Sequence, residues 1–505
     1  MNVEPQADAF AQTYARGKPQ VVWTTLVSDL ETPVSAFMKV ATNRPMSFLL
    51  ESVEGGATRG RYSIIGLDPD AIWRARAGKS EINRTARNAP DAFTALDGNP
   101  LKTLRAFVEE SRIEWPDRLP SVAAGIFGYL GYDMVRLMED LPPEKANWLG
   151  VDDAIMMRPL IVIVFDSVRD QMTVVTPVWP REGVSAEAAL ARAQERLSEI
   201  VTALDSPLDK QPAADDVGAL DVPIQSNTTP DEYQRMVLRA KDYIAAGDIF
   251  QVVLSQRFEA PFTLPPFALY RAIRRVNPSP YLFFLDFGTH AVIGSSPEIL
   301  VRSASQKVTV RPIAGTRARG ATPHEDKALE AELLNDPKEC AEHLMLLDLG
   351  RNDVGRVAEI GTVKVTDRFF VERYSHVMHI VSNVEGRLAS DKDSIDALAA
   401  GFPAGTVSGA PKVRAMEIID ELEKDKRGIY AGCIGYFSAS GDMDSCIVLR
   451  TAIIKDGKMY AQAGAGIVAD SDPASEQQEC INKAKAVFRA AEEARRFASR
   501  AGRGQ

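Results

Sequence analysis

Strand-forming segments dominate this chain, and their succession restricts the folds that it can adopt. The runs PLIVIVFDSV and MTVVTPVW follow each other before residue 180, and the runs YLFFLDF and AVIGS do so after residue 280. Strands joined by short connections pair as antiparallel hairpins, whereas a parallel sheet needs a longer crossover, usually a helix, between strands. The sequence therefore predicts an α+β protein with large antiparallel sheets rather than a doubly wound fold.

A polar segment near the middle of the chain predicts a boundary. Residues 206–227, SPLDKQPAADDVGALDVPIQSN, are rich in Pro, Asp, Ala and Gly, which is typical of a surface linker. We therefore expect an N-terminal region over residues 1–205 and a second domain over residues 228–505.

Helices are expected on both sides of this linker. Residues 101–110 and 186–204 have helical patterns before it. After it, Thr229 fits an N-cap, Pro230 fits the first helical position and Gly247 fits a C-terminal stop. The sequence thus predicts a helix that begins directly after the linker.

Charge and cysteine content exclude several classes of protein. The net charge of −10 argues against nucleic acid or an anionic membrane surface as the main partner. The 4 cysteines form no C-x-x-C pair and are typical of reduced thiols. No segment is apolar for long enough to span a bilayer, and the first ten residues do not have the pattern of a secretory signal. We therefore expect a cytoplasmic protein.

Two carboxylate pairs with the same spacing lie far apart in the sequence. Glu339 and Glu342 form the first pair, and Glu476 and Glu479 form the second. On a helix, residues spaced i, i+3 project from one face. Two such faces can meet around a hard cation such as Mg²⁺, which takes oxygen ligands. A solvated helix face is the more frequent reason for one such pair, so the spacing alone leaves both interpretations open.

Other segments between the pairs suit a site for a small anion. GTRARG over 315–320, PAGTVSGAPK over 403–412 and AGAGI over 463–467 are small-residue segments. Such turns let backbone N–H groups approach an anion, although plain tight turns have the same composition. Arg450 lies within the apolar run IVLRTAI, where an unpaired charge would be expensive. Either a carboxylate or an anionic ligand should meet it.

Two candidate proton-transfer groups also have structural interpretations. In GSSPE, Ser296 could cap a helix, Pro297 could begin it and Glu298 could favour its dipole. A free Glu titrates near ~4.3, so an acid at Glu298 needs burial or a neighbouring carboxylate to keep its proton. His379 lies within an apolar strand pattern, where a satisfied core histidine is the usual case, and His376 precedes it by three residues.

Six motifs in fixed order carry a resemblance to a known family: RPIAGTR, EHLMLLDLGRNDVGR, FPAGTVSGAPK, RGIYAGCIGYF, AGAGIV and EQQECINKAKA. With them the chain resembles the chorismate-binding enzymes, and among these the large subunits of anthranilate synthases, over residues 231–490 and more loosely over 23–164. The resemblance implies two orthogonal antiparallel sheets sandwiched by helices. It also implies conversion of chorismate and ammonia to anthranilate and pyruvate with Mg²⁺.

The resemblance implies a role for each matching residue. It makes Glu342 and Glu479 the principal metal ligands, with Glu339 and Glu476 as second carboxylates. The implied catalytic residues are Glu298, as the acid for the departing C4 hydroxyl, His379, for the loss of pyruvate, Thr406 and Gln251. The implied substrate-binding residues are Gly315, Thr316, Tyr430, Arg450, Gly464, Ala465, Gly466 and Lys483, and Ser408 is expected beside Thr406.

Two positions separate this chain from relatives with other products. Gln251 stands where relatives that add water to chorismate carry a Lys, which water needs as a base. Ala314 stands where aminodeoxychorismate synthases tend to carry a Lys in P-I-K-G-T. Both departures favour anthranilate as the product. An aminodeoxychorismate synthase large subunit and a catalytically silent tryptophan sensor are the alternative hypotheses.

The resemblance also implies a partner and an inhibitor. No cysteine has the Gly-rich setting of a glutamine amidotransferase nucleophile, so a separate subunit should deliver ammonia in an αβ or α₂β₂ complex. The N-terminal region should help to form a tryptophan site for feedback inhibition, completed by a basic residue at Arg59 or Arg61. A strand end and a Pro-rich turn in the core fit the same segments equally well. The implied tryptophan-binding residues are Glu51 and Ser52, for the amino group, and Pro280, Tyr281 and Leu282, for the indole.

Overall fold

A computed structural model describes residues 1–42, 44–54, 58–208, 224–374 and 377–498. Within these ranges the chain forms 12 α-helices, two short 3₁₀ helices and 22 strands. Most of the predicted linker, residues 209–223, lies outside the described residues, as does His376. The α-helices are α1 Ala7–Ala15, α2 Pro33–Val40, α3 Pro100–Glu110, α4 Ala186–Asp205, α5 Pro230–Ala245, α6 Pro266–Val276, α7 Pro323–Asn335, α8 Pro337–Gly355, α9 Ser394–Gly401, α10 Gly405–Ser408, α11 Lys412–Leu422 and α12 Pro473–Ala498. The strands are β1 Gln20–Val27, β2 Ser47–Glu54, β3 Thr58–Arg76, β4 Lys79–Asn83, β5 Thr94–Leu96, β6 Gly125–Leu130, β7 Ala154–Asp166, β8 Gln171–Val178, β9 Gln225–Ser226, β10 Gln251–Pro261, β11 Tyr281–Asp286, β12 Ala291–Ser296, β13 Ile299–Ala304, β14 Lys307–Val310, β15 Ile313–Ala318, β16 Lys364–Arg373, β17 Val377–Arg387, β18 Gly409–Ala410, β19 Cys433–Ser438, β20 Met443–Ile447, β21 Thr451–Lys455 and β22 Lys458–Ile467.

Two long strands, β3 and β7, run through both halves of an antiparallel sheet system. Their register shifts between Pro69 and Ala71, and the halves on either side of this irregularity have different neighbours. The first half of β3 pairs with β2 and the second with β4. The second half of β7 pairs with β8 and the first with β6. Two sheets therefore diverge from this shared pair.

Each sheet continues through strands from the second part of the chain. One runs in the order β1, β8, β7, β3, β2, β11, β12, β21, β22 and β10. The other runs from β5 through β4, β3, β7, β6, β19, β20, β13 and β14 to β17, which also pairs with β15 and β16. All of these pairings are antiparallel, so the predicted α+β class with antiparallel sheets is confirmed.

Residues on the two sides of the predicted linker share both their sheets and their cores. The pairing of β2 with β11 joins them in one sheet, and that of β6 with β19 joins them in the other. One core cluster contains Phe10 from α1 and Phe488 from α12. The substrate and regulatory residues implied by the resemblance are thus built on one scaffold.

The predicted helix after the linker is confirmed in detail. The side chain of Thr229 caps α5 by accepting from the backbone N–H of Glu232, and the carboxylate of Glu232 accepts from the backbone N–H of Thr229. The helix ends near Gly247, which has a φ of 84° that favours glycine. Within the described ranges, no helix combines the length and the apolarity needed to cross a bilayer.

Candidate active site and neighbouring cavity

A cavity of about 640 Å³ lies between α12, the end of β16 and the segment that precedes β11. Charged groups from distant parts of the chain meet there, because Arg450 follows β20 while Glu479 and Lys483 project from α12. Tyr374, just after β16, forms part of its wall. The cavity therefore presents positive charge and a buried phenol to a small ligand.

Arg450 has no carboxylate partner among the described residues. It is half-buried and has a φ of 50°, which is unusual for a residue other than glycine. Burial lowers the pKa of Arg450, while Tyr374 and Glu298 oppose that shift. Of the two partners considered from the sequence, a carboxylate and an anionic ligand, the geometry favours the ligand.

Lys483 connects the last helix to the last strand. Its Nζ lies 2.7 Å from Oε1 of Glu479 and donates a 2.9 Å bond to the carbonyl of Gly464. The segment Gly464–Ala465–Gly466 belongs to β22 and pairs with β10, so the predicted turn is wrong. A Cβ on Gly466 would lie 2.5 Å from Nε2 of Gln251, which shows that glycine serves close packing here.

The two predicted glutamate pairs occupy the first two turns of α8 and α12, and Glu342 and Glu479 lie close enough for their charges to interact. Burial raises the pKa of Glu342, and the charges of Glu339 and Glu479 add to that effect. Burial also raises the pKa of Glu476, again with a contribution from Glu479. Nε2 of Gln251 donates a 3.3 Å bond to Oε1 of Glu342.

A magnesium ion fits two of these carboxylates. Both Glu339 and Glu479 are ion-paired in this structure, Glu339 with Arg317 at 3.1 Å and Glu479 with Lys483 at 2.7 Å, whereas Glu342 has no ion pair among the described residues. In the described part of the chain, no three His, Cys, Asp or Glu side chains stand together as a metal-binding group. Mg²⁺ often takes only one or two protein carboxylates and completes its shell with water and substrate oxygens. Glu342 and Glu479, whose negative charges lie close enough to interact, suit that requirement.

Glu298 is a buried carboxyl group that keeps its proton near neutral pH. It is 7% exposed, and burial raises its pKa to about 8. Oγ1 of Thr406 donates a 3.0 Å bond to Oε1 of Glu298 and opposes this shift. Glu298 lies in the turn between β12 and β13, so the alternative in which Ser296 and Pro297 begin a helix is wrong. A carboxyl with this pKa can act as a general acid at neutral pH.

His379 lies near the start of β17 and is neutral at pH 7. Its Nδ1 donates a 3.0 Å bond to the carbonyl of Gly315 and lies 3.1 Å from Oγ1 of Thr316. Burial lowers the pKa of His379 to about 4, and the charges of Arg450 and Lys483 contribute. Because a carbonyl oxygen can only accept, Nδ1 carries the hydrogen and Nε2 keeps a lone pair. His379 can therefore act as a base.

Of the expected residues, Arg450, Glu479 and Lys483 line this cavity, whereas Glu298 and Thr406 line a separate pocket and the others lie elsewhere. Tyr430 lines a separate small pocket, and its ring centre lies 5.6 Å from the guanidinium of Arg427. The hydroxyl of Ser408 donates to the carbonyl of Ala404, so it is turned away from any ligand. Gly315 has a φ of 71° at an irregularity in β15, where it shapes the strand beside His379.

A second cavity of about 530 Å³ brings together four of the five predicted tryptophan-site residues: Glu51, Ser52, Pro280 and Tyr281. Leu282 points to the opposite face of β11 and is only 2% exposed within the core. The alternation of side chains along a strand explains this difference from the prediction.

The charges in the second cavity differ from those expected. Glu51 is held by Nε of Arg274 at 2.6 Å and by the hydroxyl of Tyr270. Arg61 pairs with Asp166 at 2.9 Å on the surface instead of lining the cavity, and the side chain of Arg59 lies outside the described residues. The cationic side chains that do line it are Arg302, Arg311 and Arg373.

Sequence reasoning missed the residue that separates the two cavities. Tyr374 lines both of them, and its ring packs edge-on against His379 at a centroid distance of 5.4 Å. No pattern in the sequence around Tyr374 identifies a wall that two cavities share.

The two antiparallel sheets carry a cavity with an unpaired arginine, and a protonated carboxyl and a neutral imidazole lie close enough to interact with that arginine. These groups suit an enzyme for a small anionic substrate. A family model described as chorismate binding enzyme matches residues 47–489. The chain belongs to the chorismate-binding enzyme family.

Individual relatives agree with this membership. The chain is 58% identical over 499 residues to anthranilate synthase component 1 of Cereibacter sphaeroides, covering 98% of this chain and 99% of the relative. It is 48% identical over 468 residues to the component 1 of Thermus thermophilus, covering 93% and 97%. Anthranilate synthase component I from Streptococcus pneumoniae superimposes with a TM-score of 0.73 at 38% identity, covering 92% of this chain and 98% of that chain. The isochorismate synthase MenF from Escherichia coli gives a TM-score of 0.70 at 20% identity, covering 96% and 100%, and supports the fold alone.

Proposed function

We propose that this chain is the chorismate-converting subunit of an anthranilate synthase and forms anthranilate and pyruvate from chorismate and ammonia in tryptophan biosynthesis. The observation that carries the proposal is the arrangement of a protonated Glu298 and a neutral His379 around the unpaired Arg450. Full-length identity of 58% to a component 1 supports the same conclusion.

Each group has a distinct part in the proposed reaction. Arg450 and Lys483 attract the carboxylates of chorismate. Glu298 donates its proton to the C4 hydroxyl, which leaves as water while ammonia attacks C2 and the resulting ammonium loses a proton to solvent. Nε2 of His379 then removes the C2 proton as the C3–O bond breaks, and the enolate that departs takes up a proton on its methylene carbon to become pyruvate. An acid whose pKa is near 8 and a neutral imidazole are in the protonation states that these two steps require.

The proposal includes Mg²⁺ as the cofactor of a carbon–oxygen lyase. Glu342 and Glu479 would hold the ion, which supplies positive charge to the ring carboxylate of the substrate. The support is chemical: burial and the neighbouring charges of Glu339 and Glu479 raise the pKa of Glu342, and a divalent cation would stabilise its ionised form.

A separate glutamine amidotransferase subunit is proposed as the source of ammonia, in an αβ or α₂β₂ complex in the cytoplasm. A glutaminase nucleophile must be a reactive thiolate. Burial raises the pKa of both Cys433 and Cys480 to about 12, and Cys446 is buried as well. These thiols are unsuited to nucleophilic attack, and the component 1 names of the relatives support a second component.

L-Tryptophan is proposed as a feedback inhibitor that binds in the second cavity. The support is that Glu51, Ser52, Pro280 and Tyr281 line one space of about 530 Å³, which can hold an amino acid. Because Glu51 is held by Arg274, Ser52 and Glu372 are the better candidates for contact with the amino group.

Product identification tests the proposed activity. The purified chain is incubated with chorismate and excess ammonium salt, with and without Mg²⁺, and the products are followed by anthranilate fluorescence and mass spectrometry. Anthranilate and pyruvate in equal amounts are expected only with Mg²⁺. A stable aminodeoxychorismate product would assign the chain to the aminodeoxychorismate synthases instead. Chorismate left intact would favour a tryptophan sensor.

A further inference from the structure

The two cavities share a wall that consists of one side chain. Among the described residues, Tyr374 is the residue that lines both the substrate cavity and the second cavity. It is 6% exposed, so its position is fixed by its neighbours. A change in that position must alter both spaces together.

Glu372 fixes the hydroxyl end of this wall. The hydroxyl of Tyr374 donates a 3.0 Å bond to Oε2 of Glu372, and Nη2 of Arg311 lies 2.5 Å from Oε1 of the same carboxylate. Both Arg311 and Glu372 line the second cavity. The carboxylate thus holds the tyrosine on one side and an arginine on the other.

The same unit also contacts the proposed base. Glu372 lies directly opposite His379 in the pairing of β16 with β17. The ring of Tyr374 meets that of His379 at an interplanar angle of 66°. Arg450, which faces the substrate cavity, interacts electrostatically with Tyr374. A rearrangement of Glu372 would therefore move or loosen groups on the substrate side.

We infer that Glu372 and Tyr374 are positioning residues that transmit occupancy of the second cavity to His379 and Arg450. This inference rests on the proposed function. An α-amino acid has a carboxylate that suits Arg311 and an ammonium that suits Glu372, and either contact competes with the existing Arg311–Glu372 pair. Release of that pair changes the hydrogen bond that holds Tyr374. Glu372 and Tyr374 therefore have two alternative arrangements.

Of the other charged groups that line the second cavity, Arg373 is paired with Glu330, and Arg302, Asp444 and Glu51 do not offer this route. Arg302 is paired with Asp444, which also accepts a 3.1 Å bond from the hydroxyl of Tyr281. Glu51 is held by Arg274. None of these residues lines the substrate cavity, so a ligand that contacted them alone would leave the wall in place.

The test compares Tyr374→Phe with Tyr436→Phe. Both exchanges remove one hydroxyl from the second cavity, but Tyr436 does not line the substrate cavity. Three quantities are measured for each full-length variant: the Kd for L-tryptophan by calorimetry, the factor by which saturating L-tryptophan raises the KM for chorismate, and the pyruvate formed per chorismate consumed. The last quantity needs no tryptophan and reports on His379.

For Tyr374→Phe we expect a Kd within threefold of wild type, a KM factor reduced at least fivefold and a lowered pyruvate yield. Tyr436→Phe should keep the wild-type KM factor and yield. The inference is overturned if Tyr374→Phe keeps the wild-type KM factor, or if Tyr436→Phe loses it equally. A wild-type enzyme that makes anthranilate but does not bind L-tryptophan overturns the inference and the regulatory proposal, and leaves the catalytic proposal intact.

Discussion

The exchange Glu298→Gln tests whether burial keeps this carboxyl group protonated. The variant retains an oxygen that can accept from Thr406, but it has no group that ionises in this pH range. We expect it to form no anthranilate, because it cannot donate the proton to the C4 hydroxyl. We also expect the free energy of unfolding of the variant to increase relative to that of the wild type as the pH rises.

The size of the stability effect follows from the pKa. The fold raises the pKa of Glu298 from 4.5 to about 8, which means that it favours the protonated form. The loss of folding stability caused by Glu298 is therefore absent below about pH 4.5, and it grows as the pH rises to about pH 8. Linkage gives about 1 kcal/mol of lost stability at pH 5 and about 4 kcal/mol at pH 8, so the two pH values differ by about 3 kcal/mol.

Chemical denaturation at pH 5 and pH 8, followed by the fluorescence of the 5 tryptophans, measures this effect. The stability of Glu298→Gln minus that of the wild type should increase by about 3 kcal/mol between the two pH values, since other titrating groups cancel in the difference. An exchange of the exposed Glu195 to Gln is the matched control. A difference that is equal at both pH values would refute the claim that Glu298 is desolvated.

Four further predictions concern the substrate, the metal, the second step and the inhibitor. Arg450→Gln should raise the KM for chorismate about 10- to 100-fold, as expected for the loss of a charged hydrogen bond of about 1.5–3 kcal/mol, and an unchanged KM would remove Arg450 from the site. EDTA should abolish anthranilate formation by the wild type, and Glu342→Gln should raise the Mg²⁺ concentration needed to restore it; full activity in EDTA would refute the metal assignment. His379→Met should consume chorismate but reduce pyruvate release by about 100-fold or more, the usual contribution of a general base, and a normal pyruvate yield would exclude that role. Ser52→Phe should weaken inhibition by L-tryptophan because the larger side chain fills the second cavity, and an unchanged inhibition constant would show that the inhibitor binds elsewhere.

Local signals in the sequence were sufficient where a few neighbouring residues decide the structure. Thr229, Pro230 and Gly247 predict the bounds of α5 because capping depends on residues within one turn. The same local rules failed at Ser296, since a Ser-Pro-Glu sequence also fits a turn between two strands. They failed at Gly464 as well, where small residues serve the close packing of β22 rather than a turn.

The contacts that define the site depend on partners far away in the chain. Leu282 could have been excluded from the second cavity, because side chains alternate along β11 and Tyr281 already faces it. The ion pair between Glu51 and Arg274 could not have been predicted, since 223 residues separate them. The resemblance supplied identities for Glu298 and His379, but only the folded structure explains their protonation states, which follow from burial.

The sharing of β3 and β7 between the two sheets has a consequence for any attempt to divide the molecule. A fragment that ends before the linker would expose the edges of β2 and β6, and the complementary fragment would expose those of β11 and β19. Bare edges of this kind attract foreign strands and promote aggregation. The N-terminal half therefore cannot be transplanted as an independent module.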